Sequence, residues 1–175
     1  MKWALIAVAI LAGLVGIAAI AGSLLPREHV ASSRTTLPQP ADSIWSVVRD
    51  PSALVGTWSD LAEARRVDDP AGREVWSEKV SGFEMRLIME ESIPPSRLVT
   101  RIDAAPDAVF GGRWVYELAP TGTGTTVTVT EEGWVGNPLF RLLSKLGGQH
   151  GSIDGYLKAL GRKLGAEVKP EHVGR

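Results

Sequence analysis

The sequence contains no cysteine among its 175 residues. This absence excludes disulfide bonds, thiolate metal sites, iron–sulfur clusters and cysteine nucleophiles. It does not identify the compartment, because a cysteine-free chain folds equally well on either side of a membrane.

A large net charge is also missing, since the formal net charge is −1 at pH 7. No overall basic field is present to hold nucleic acid, so we expect no nucleic-acid partner. The hydrophobic fraction of 44% and the charged fraction of 22% are ordinary for a folded domain. They exclude a mainly disordered chain and a multi-pass membrane protein.

Motifs for metals and nucleotides are lacking. The histidines, His29, His150 and His172, are far apart and show no paired-ligand spacing. Gly122 and Gly124 follow one predicted strand but precede another, whereas a dinucleotide fingerprint opens a helix. We therefore expect neither a metal nor a cofactor.

Charge is absent from the apolar run of residues 3–25. At about 1.5 Å per residue this run spans about 34 Å, enough to cross a hydrocarbon core of roughly 30 Å. Residues 1–26 are therefore predicted to be a single-pass membrane anchor. Lys2 favours a cytoplasmic amino terminus and an extracytoplasmic domain, although Arg27 and Arg34 weaken that bias.

Two alternatives to an anchor exist for this run. A cleaved signal peptide has a small-x-small site at residues 19–21, but signal h-regions are usually about 7–15 residues long. A buried helix of a soluble domain would need a large protein around it, because this helix is apolar on every face.

The rest of the chain is predicted to form a domain over residues 27–167, followed by a tail at 168–175. A strand at 29–36 precedes a helix that begins near Pro40, and Asp50-Pro51 ends that helix before a second short one. Alternating apolar and polar residues then predict five strands, at 74–80, 83–93, 97–103, 112–118 and 125–135. Consecutive strands joined by short turns indicate an antiparallel sheet with one face covered.

The last predicted element is one long helix from Pro138 to Gly165. Its apolar residues recur at spacings of three and four, so we expect this stripe to lie on the sheet. The stripe comprises Leu139, Leu142, Leu143, Leu146, Ile153, Leu157, Leu160 and Leu164. Several interior glycines predict that the helix bends or lets another group approach its backbone.

Three stretches carry a resemblance to a known family: residues 40–51, Trp58, and residues 140–164 with Tyr156. Over residues 28–166 the chain resembles the START-like (SRPBCC) superfamily, in particular its polyketide cyclase/dehydrase and lipid-transport group. The resemblance implies an α+β helix-grip fold, in which a curved antiparallel sheet wraps a long carboxy-terminal helix. It also implies an apolar tunnel for a lipid, sterol, quinone, polyketide or other hydrophobic molecule. The family pattern does not require the amino-terminal span.

Candidate ligand-binding residues are mainly apolar side chains predicted to face the inside of the sheet or the helix. They are Trp58, Trp76, Met85, Leu87, Met89, Trp114, Tyr116, Phe140 and Leu143. Methionines on one strand face make a deformable wall. The alternative is that these side chains simply fill a core.

Candidate acid–base groups are Glu78, Glu91 and Glu131, which share strand parity with apolar neighbours, and His150, which falls on the helix stripe. A carboxylate in an apolar cavity can orient a ligand or act as a general acid or base. The alternative is that each glutamate reaches water near a strand end. The alternative for His150 is a core residue that is hydrogen-bonded to Asp154, four positions later.

Three functions are consistent with these features. The first, which we predict, is a membrane-anchored protein that binds a hydrophobic small molecule or lipid and sequesters or transfers it. The second is a cyclase- or dehydratase-like enzyme that uses a buried carboxylate or His150. The third is an interaction module with a filled core and no ligand.

Overall fold

The computed structural model describes residues 2–174. Its helices and strands follow one another as α1 (Lys2–Ser23), β1 (Glu28–Leu37), α2 (Ala41–Val48), a 3₁₀ helix (Pro51–Leu54), β2 (Leu61–Val67), β3 (Val75–Val80), β4 (Phe83–Ile93), β5 (Arg97–Ile102), β6 (Phe110–Thr121), β7 (Gly124–Val135), α3 (Pro138–Gly147), α4 (Gly151–Lys163) and β8 (Glu171–His172).

The strands form a single antiparallel sheet in the order β2-β3-β4-β5-β6-β7-β1-β8. Helix α4 packs on this sheet through Ile153, Leu157 and Leu160, none of which is exposed to solvent. The sheet contributes equally buried residues such as Val127 and Val129 to the same core. This is the predicted α+β helix-grip fold.

The predicted strands between residues 29 and 135 are all present, and two further strands were missed. Strand β2 carries Glu63, Arg65 and Arg66, so it lacks the apolar alternation of a half-buried strand. Strand β8 is a two-residue pairing in the predicted tail, where Glu171 lies opposite Arg34 of β1.

The prediction of one long carboxy-terminal helix was wrong. Helix α3 ends at Gly147, and α4 begins at Gly151. Gly148 lies between them with φ +87°, a conformation that glycine adopts without the steric cost of a side chain. The glycines therefore break the predicted helix into two.

The prediction that the whole stripe lies on the sheet was also wrong. The half on α4 does so, whereas Phe140, Leu143 and Leu146 of α3 are 46%, 62% and 76% exposed. Helix α3 packs instead against the end of α1, where a Cβ on Gly22 would come within 1.9 Å of the Pro138 carbonyl oxygen. That contact is possible only because Gly22 has no side chain.

Helix α1 is long and apolar enough to cross a membrane. Its most apolar window has a mean hydropathy of 2.8, and none of that window is buried against the domain. Arg141 of α3 joins the segment that follows this helix to the residue that follows β7, because Nη1 donates to the Leu25 carbonyl at 3.0 Å and Nη2 to the Gly136 carbonyl at 3.1 Å.

Candidate ligand-binding cavity

A cavity of about 330 Å³ lies between the sheet and the carboxy-terminal helices. Strands β3 to β7 supply much of its wall, and β1, β2 and the helices α2, α3 and α4, with the 3₁₀ helix, also contribute. Pockets for small molecules usually fall between about 300 and 1,000 Å³. The cavity is therefore large enough for a small organic ligand or part of a lipid.

Six of the nine predicted ligand-binding residues line this cavity. They are Trp58, Met85, Leu87, Met89, Trp114 and Tyr116. Met85, Leu87 and Met89 lie on β4 and line the cavity together, because alternate side chains of a strand point to the same face.

The other three predicted ligand-binding residues lie outside the cavity. Trp76 shares a strand face with Glu78, but it lies farther along β3, where its Nε1 donates to Glu74 Oε1 at 3.1 Å. Phe140 and Leu143 occupy the outward face of α3, because the helix break turns that face away from the sheet.

Tyr156 lines the cavity and was missed as a site residue. It follows Ile153 by three positions, so the helical spacing that predicted the α4 stripe also marks this tyrosine as inward-facing. Phe83 and Phe110 were missed as well. Phe83 has the same parity as Met85 on β4, which was a usable signal.

Four aromatic residues form a continuous cluster in the cavity wall. Trp58, Trp114, Tyr116 and Tyr156 have ring centroids 5.4–6.0 Å apart, in tilted or edge-to-face arrangements. Such pairs stabilise one another by about 0.5–1.5 kcal/mol beyond area burial. The cluster is therefore a preorganised apolar wall.

One polar atom of this cluster is buried without a partner. The indole Nε1 of Trp58 has no hydrogen-bond acceptor among residues 2–174. A Cβ on Gly155 of α4 would lie 3.3 Å from this nitrogen, so the glycine leaves the indole edge uncovered by a side chain. A buried donor of this kind costs about 1–3 kcal/mol until an acceptor reaches it.

Glu78 is the most strongly perturbed carboxyl group in the cavity. Its side chain is buried, with only 7% of the residue exposed, and the described part of the chain provides no hydrogen-bond partner for it. Burial raises the pKa of Glu78 from 4.5 to about 7. Burial also raises the pKa values of Tyr116 and Tyr156, and the nearby Glu78 carboxylate adds to both shifts.

Glu131 also lines the cavity, but it is paired. Its Oε1 lies 3.1 Å from His29 Nε2, and both side chains are largely buried. Gly133 makes room for this pair, because a Cβ there would come within 2.6 Å of the His29 ring. From the sequence, His29 was considered only as a metal ligand, so its place in the cavity wall was missed.

Glu91 and His150 lie outside the cavity. A bulge between Met89 and Glu91 shifts the register of β4, so parity counted from Met89 no longer holds, and Glu91 pairs with Arg97 at 3.1 Å. His150 precedes α4 and stacks on His172 with ring centroids 3.8 Å apart.

The Asp154 side chain does not make the bond to His150 that was considered as an alternative. The Asp154 carboxylate accepts instead from Ser33 Oγ at 2.7 Å and lies 2.9 Å from His172 Nε2. Within residues 2–174 no three histidine or acidic side chains cluster closely enough to hold a metal ion.

We take as the mouth of the cavity the edge that contains the half-exposed Phe83, which lies at the end of the sheet nearest α1. Phe83 and Phe110 line this edge with their rings 5.5 Å apart, and Phe83 is half exposed. Phe110 pairs with Val135, whose backbone N–H donates to the Arg27 carbonyl at 2.8 Å. Arg27 is four residues beyond the last residue of α1, so the mouth is close to the base of the apolar helix.

The sheet order and the packing of α4 define the START-like helix-grip class. A START superfamily protein from Mycobacterium smegmatis superposes with a TM-score of 0.61 at 20% identity, over 78% of this chain and 98% of that one. The di-domain ARO/CYC protein StfQ, from the steffimycin biosynthetic pathway, gives a TM-score of 0.60 at 10% identity, over 76% of this chain and 49% of that one. These likenesses show the fold.

A third structure, Mll3558 from Rhizobium loti, has a TM-score of 0.57 at 26% identity, over 78% of this chain and 97% of that one. The family model described as polyketide cyclase / dehydrase and lipid transport matches residues 28–165, and the chain belongs to that family. None of the curated proteins compared with the chain matches it.

Proposed function

We propose that the protein is a membrane-anchored carrier that holds a hydrophobic small molecule or lipid in the cavity and sequesters or transfers it. The observation that carries this proposal is an apolar cavity of about 330 Å³ with a wall of four contacting aromatic rings. Transfer of apolar surface into such a site is favourable by about 25 cal/mol per Å².

The buried carboxyl of the wall indicates what one end of the ligand carries. Below about pH 7 Glu78 is neutral and can donate one hydrogen bond. A ligand with a carbonyl or hydroxyl oxygen near Glu78 would satisfy this donor. The proposed ligand is therefore an amphiphile rather than a pure hydrocarbon.

The position of the mouth supports delivery to or from a membrane. The mouth lies close to the base of α1, which is apolar enough to span a bilayer. A hydrophobic ligand would then pass between bilayer and cavity with little exposure to water. We propose that α1 is retained as an anchor, with the domain on the extracytoplasmic side.

Native mass spectrometry of the full chain, released from mild detergent, tests the carrier proposal. We expect a reproducible extra mass that organic extraction removes. Leu87→Trp fills the cavity and should abolish the extra mass, whereas Lys79→Trp adds the same bulk on the exposed face of β3 and should retain it. A clean apo mass for the wild type after incubation with lipids and quinones would contradict the proposal.

A second candidate function, acid–base catalysis of a cyclase or dehydratase type, is favoured by the pKa of Glu78. At neutral pH both protonation states of a group with a pKa of about 7 are populated, and proton transfer in both directions requires both states. Glu78→Gln separates the two functions. If the protein is a carrier, Glu78→Gln keeps the same bound ligand as the wild type. If it is an enzyme, Glu78→Gln accumulates bound substrate that the wild type converts to a product of different mass.

A further inference from the structure

Helix α3 is amphipathic, and its apolar face is turned away from the domain. Phe140, Leu143 and Leu146 recur every third residue on one side and are exposed. Ser144 and Lys145 lie nearer the segment that follows α1 and line a pocket together with it. A helix of a water-soluble domain normally has the reverse arrangement.

Helix α3 is fixed beside the end of α1. The Gly22–Pro138 contact brings their backbones together, and Arg141 hydrogen-bonds to the Leu25 carbonyl. The Asn137 side chain caps α3 by accepting from the Leu139 N–H at 2.9 Å, so the helix begins at this junction. A bilayer crossed by α1 would therefore have its surface at the level of α3.

The charged residues at the junction of α1 and α3 are consistent with a position at the membrane surface. Arg27, Arg141 and Lys145 line a pocket between the segment that follows α1, β1 and α3, and Glu28 is the acidic residue in the same lining. Basic side chains beside an apolar helix face are typical of helices that lie in the headgroup region of a membrane.

We propose that α3 lies in the surface of the membrane that α1 spans, with Phe140, Leu143 and Leu146 among the lipid chains. This inference rests on the proposed membrane anchor. Because Ser144 and Gly148 line the cavity, a membrane-bound α3 would form one side of a mouth that opens towards lipid. The partner of this surface is thus a lipid bilayer, and the continuity with α1 favours it over a second copy of the chain.

Single-cysteine labelling of the full chain in liposomes tests this inference, and the chain has no native cysteine to interfere. A polarity-sensitive fluorophore is attached to the cysteine of Leu143→Cys or of Leu146→Cys, and spin-labelled lipids act as quenchers. Lys158→Cys on the exposed side of α4 is the aqueous control, and Leu14→Cys in the middle of α1 is the membrane control.

We expect labels at 143 and 146 to emit in the blue and to be quenched several-fold more strongly than the label at 158. Water-like emission equal to that at 158 would overturn the inference. Blue emission without lipid quenching would also overturn it, because protein rather than lipid would then cover α3.

These readouts are independent of the ligand assay. Quenching at 143 with a clean apo mass would contradict the carrier function alone. A ligand mass with unquenched labels at 143 and 146 would contradict the role of α3 alone. An unquenched label at position 14 would overturn the anchor, and with it this inference.

Discussion

Replacing Glu78 by glutamine should remove a pH-dependent loss of stability. The native pKa of about 7 lies above the ordinary value of 4.5. The native state therefore binds more protons than the unfolded state between these values, and stability falls as the pH rises through this window. Above about pH 7 the loss levels off.

The magnitude follows from the difference between the two pKa values. About 2.5 units at about 1.36 kcal/mol per unit is about 3 kcal/mol. Glu78→Gln carries no charge to desolvate, so at pH 8 it should be more stable than the wild type by about this amount. At pH 4 the two proteins should be nearly equal.

Thermal unfolding of the full chain in mild detergent, followed by tryptophan fluorescence from pH 4 to pH 9, measures this effect. For a chain of this size about 3 kcal/mol corresponds to about 6–12 °C in Tm. Glu91→Gln is the matched control, because Glu91 is partly exposed and paired with Arg97, and it should retain the wild-type pH dependence. An unchanged pH dependence in Glu78→Gln would refute the argument that burial of this carboxyl destabilises the fold.

Three glycine substitutions test the packing around the carboxy-terminal helices. Gly161→Ala places a Cβ 2.8 Å from the Ala166 carbonyl oxygen, so it should lower the unfolding free energy by about 1–3 kcal/mol in chemical denaturation. The control, Lys158→Ala at an exposed position, should change the unfolding free energy by no more than about 0.5 kcal/mol. In Gly148→Ala the new Cβ meets no neighbour, but alanine is forced to φ +87°, so the unfolding free energy should fall by about 1–2 kcal/mol. An unchanged unfolding free energy in the same assay would show that the turn relaxes. Gly22→Leu should separate α1 from α3 and reduce lipid quenching at position 143, whereas unchanged quenching would show that the contact with Pro138 does not position α3.

The strands could be predicted from sequence because their alternation is local. Met85, Leu87 and Met89 follow the simple two-residue period, and all three line the cavity. Glu91 does not follow it, because one bulge changes the face on which later residues lie. A bulge depends on the neighbouring strand, which the pattern of a single strand does not contain.

The direction of α3 could not be predicted for a similar reason. The apolar spacing of residues 139–164 is nearly continuous, and it predicts one stripe on one helix. A positive φ at Gly148 and the approach of α1 at Gly22 divide that stripe between the sheet and the outside. Both depend on tertiary contacts with distant parts of the chain.

The candidate carboxylates show the same limit at the site. Strand parity predicted that Glu78 and Glu131 both face the inside of the sheet. Only the fold shows that Glu131 contacts His29, whereas Glu78 stays unpaired. The raised pKa of Glu78 follows from that difference in surroundings.

Photo-crosslinking in the native membrane tests most directly whether a ligand occupies the cavity. A benzophenone amino acid would replace Met85 inside the cavity or, as the control, Lys79 on the opposite side of the sheet. We expect a small hydrophobic adduct on position 85 after irradiation, identified by its mass, and none on position 79. No low-mass adduct at position 85, or equal adducts at both positions, would contradict the claim that the cavity holds a hydrophobic ligand.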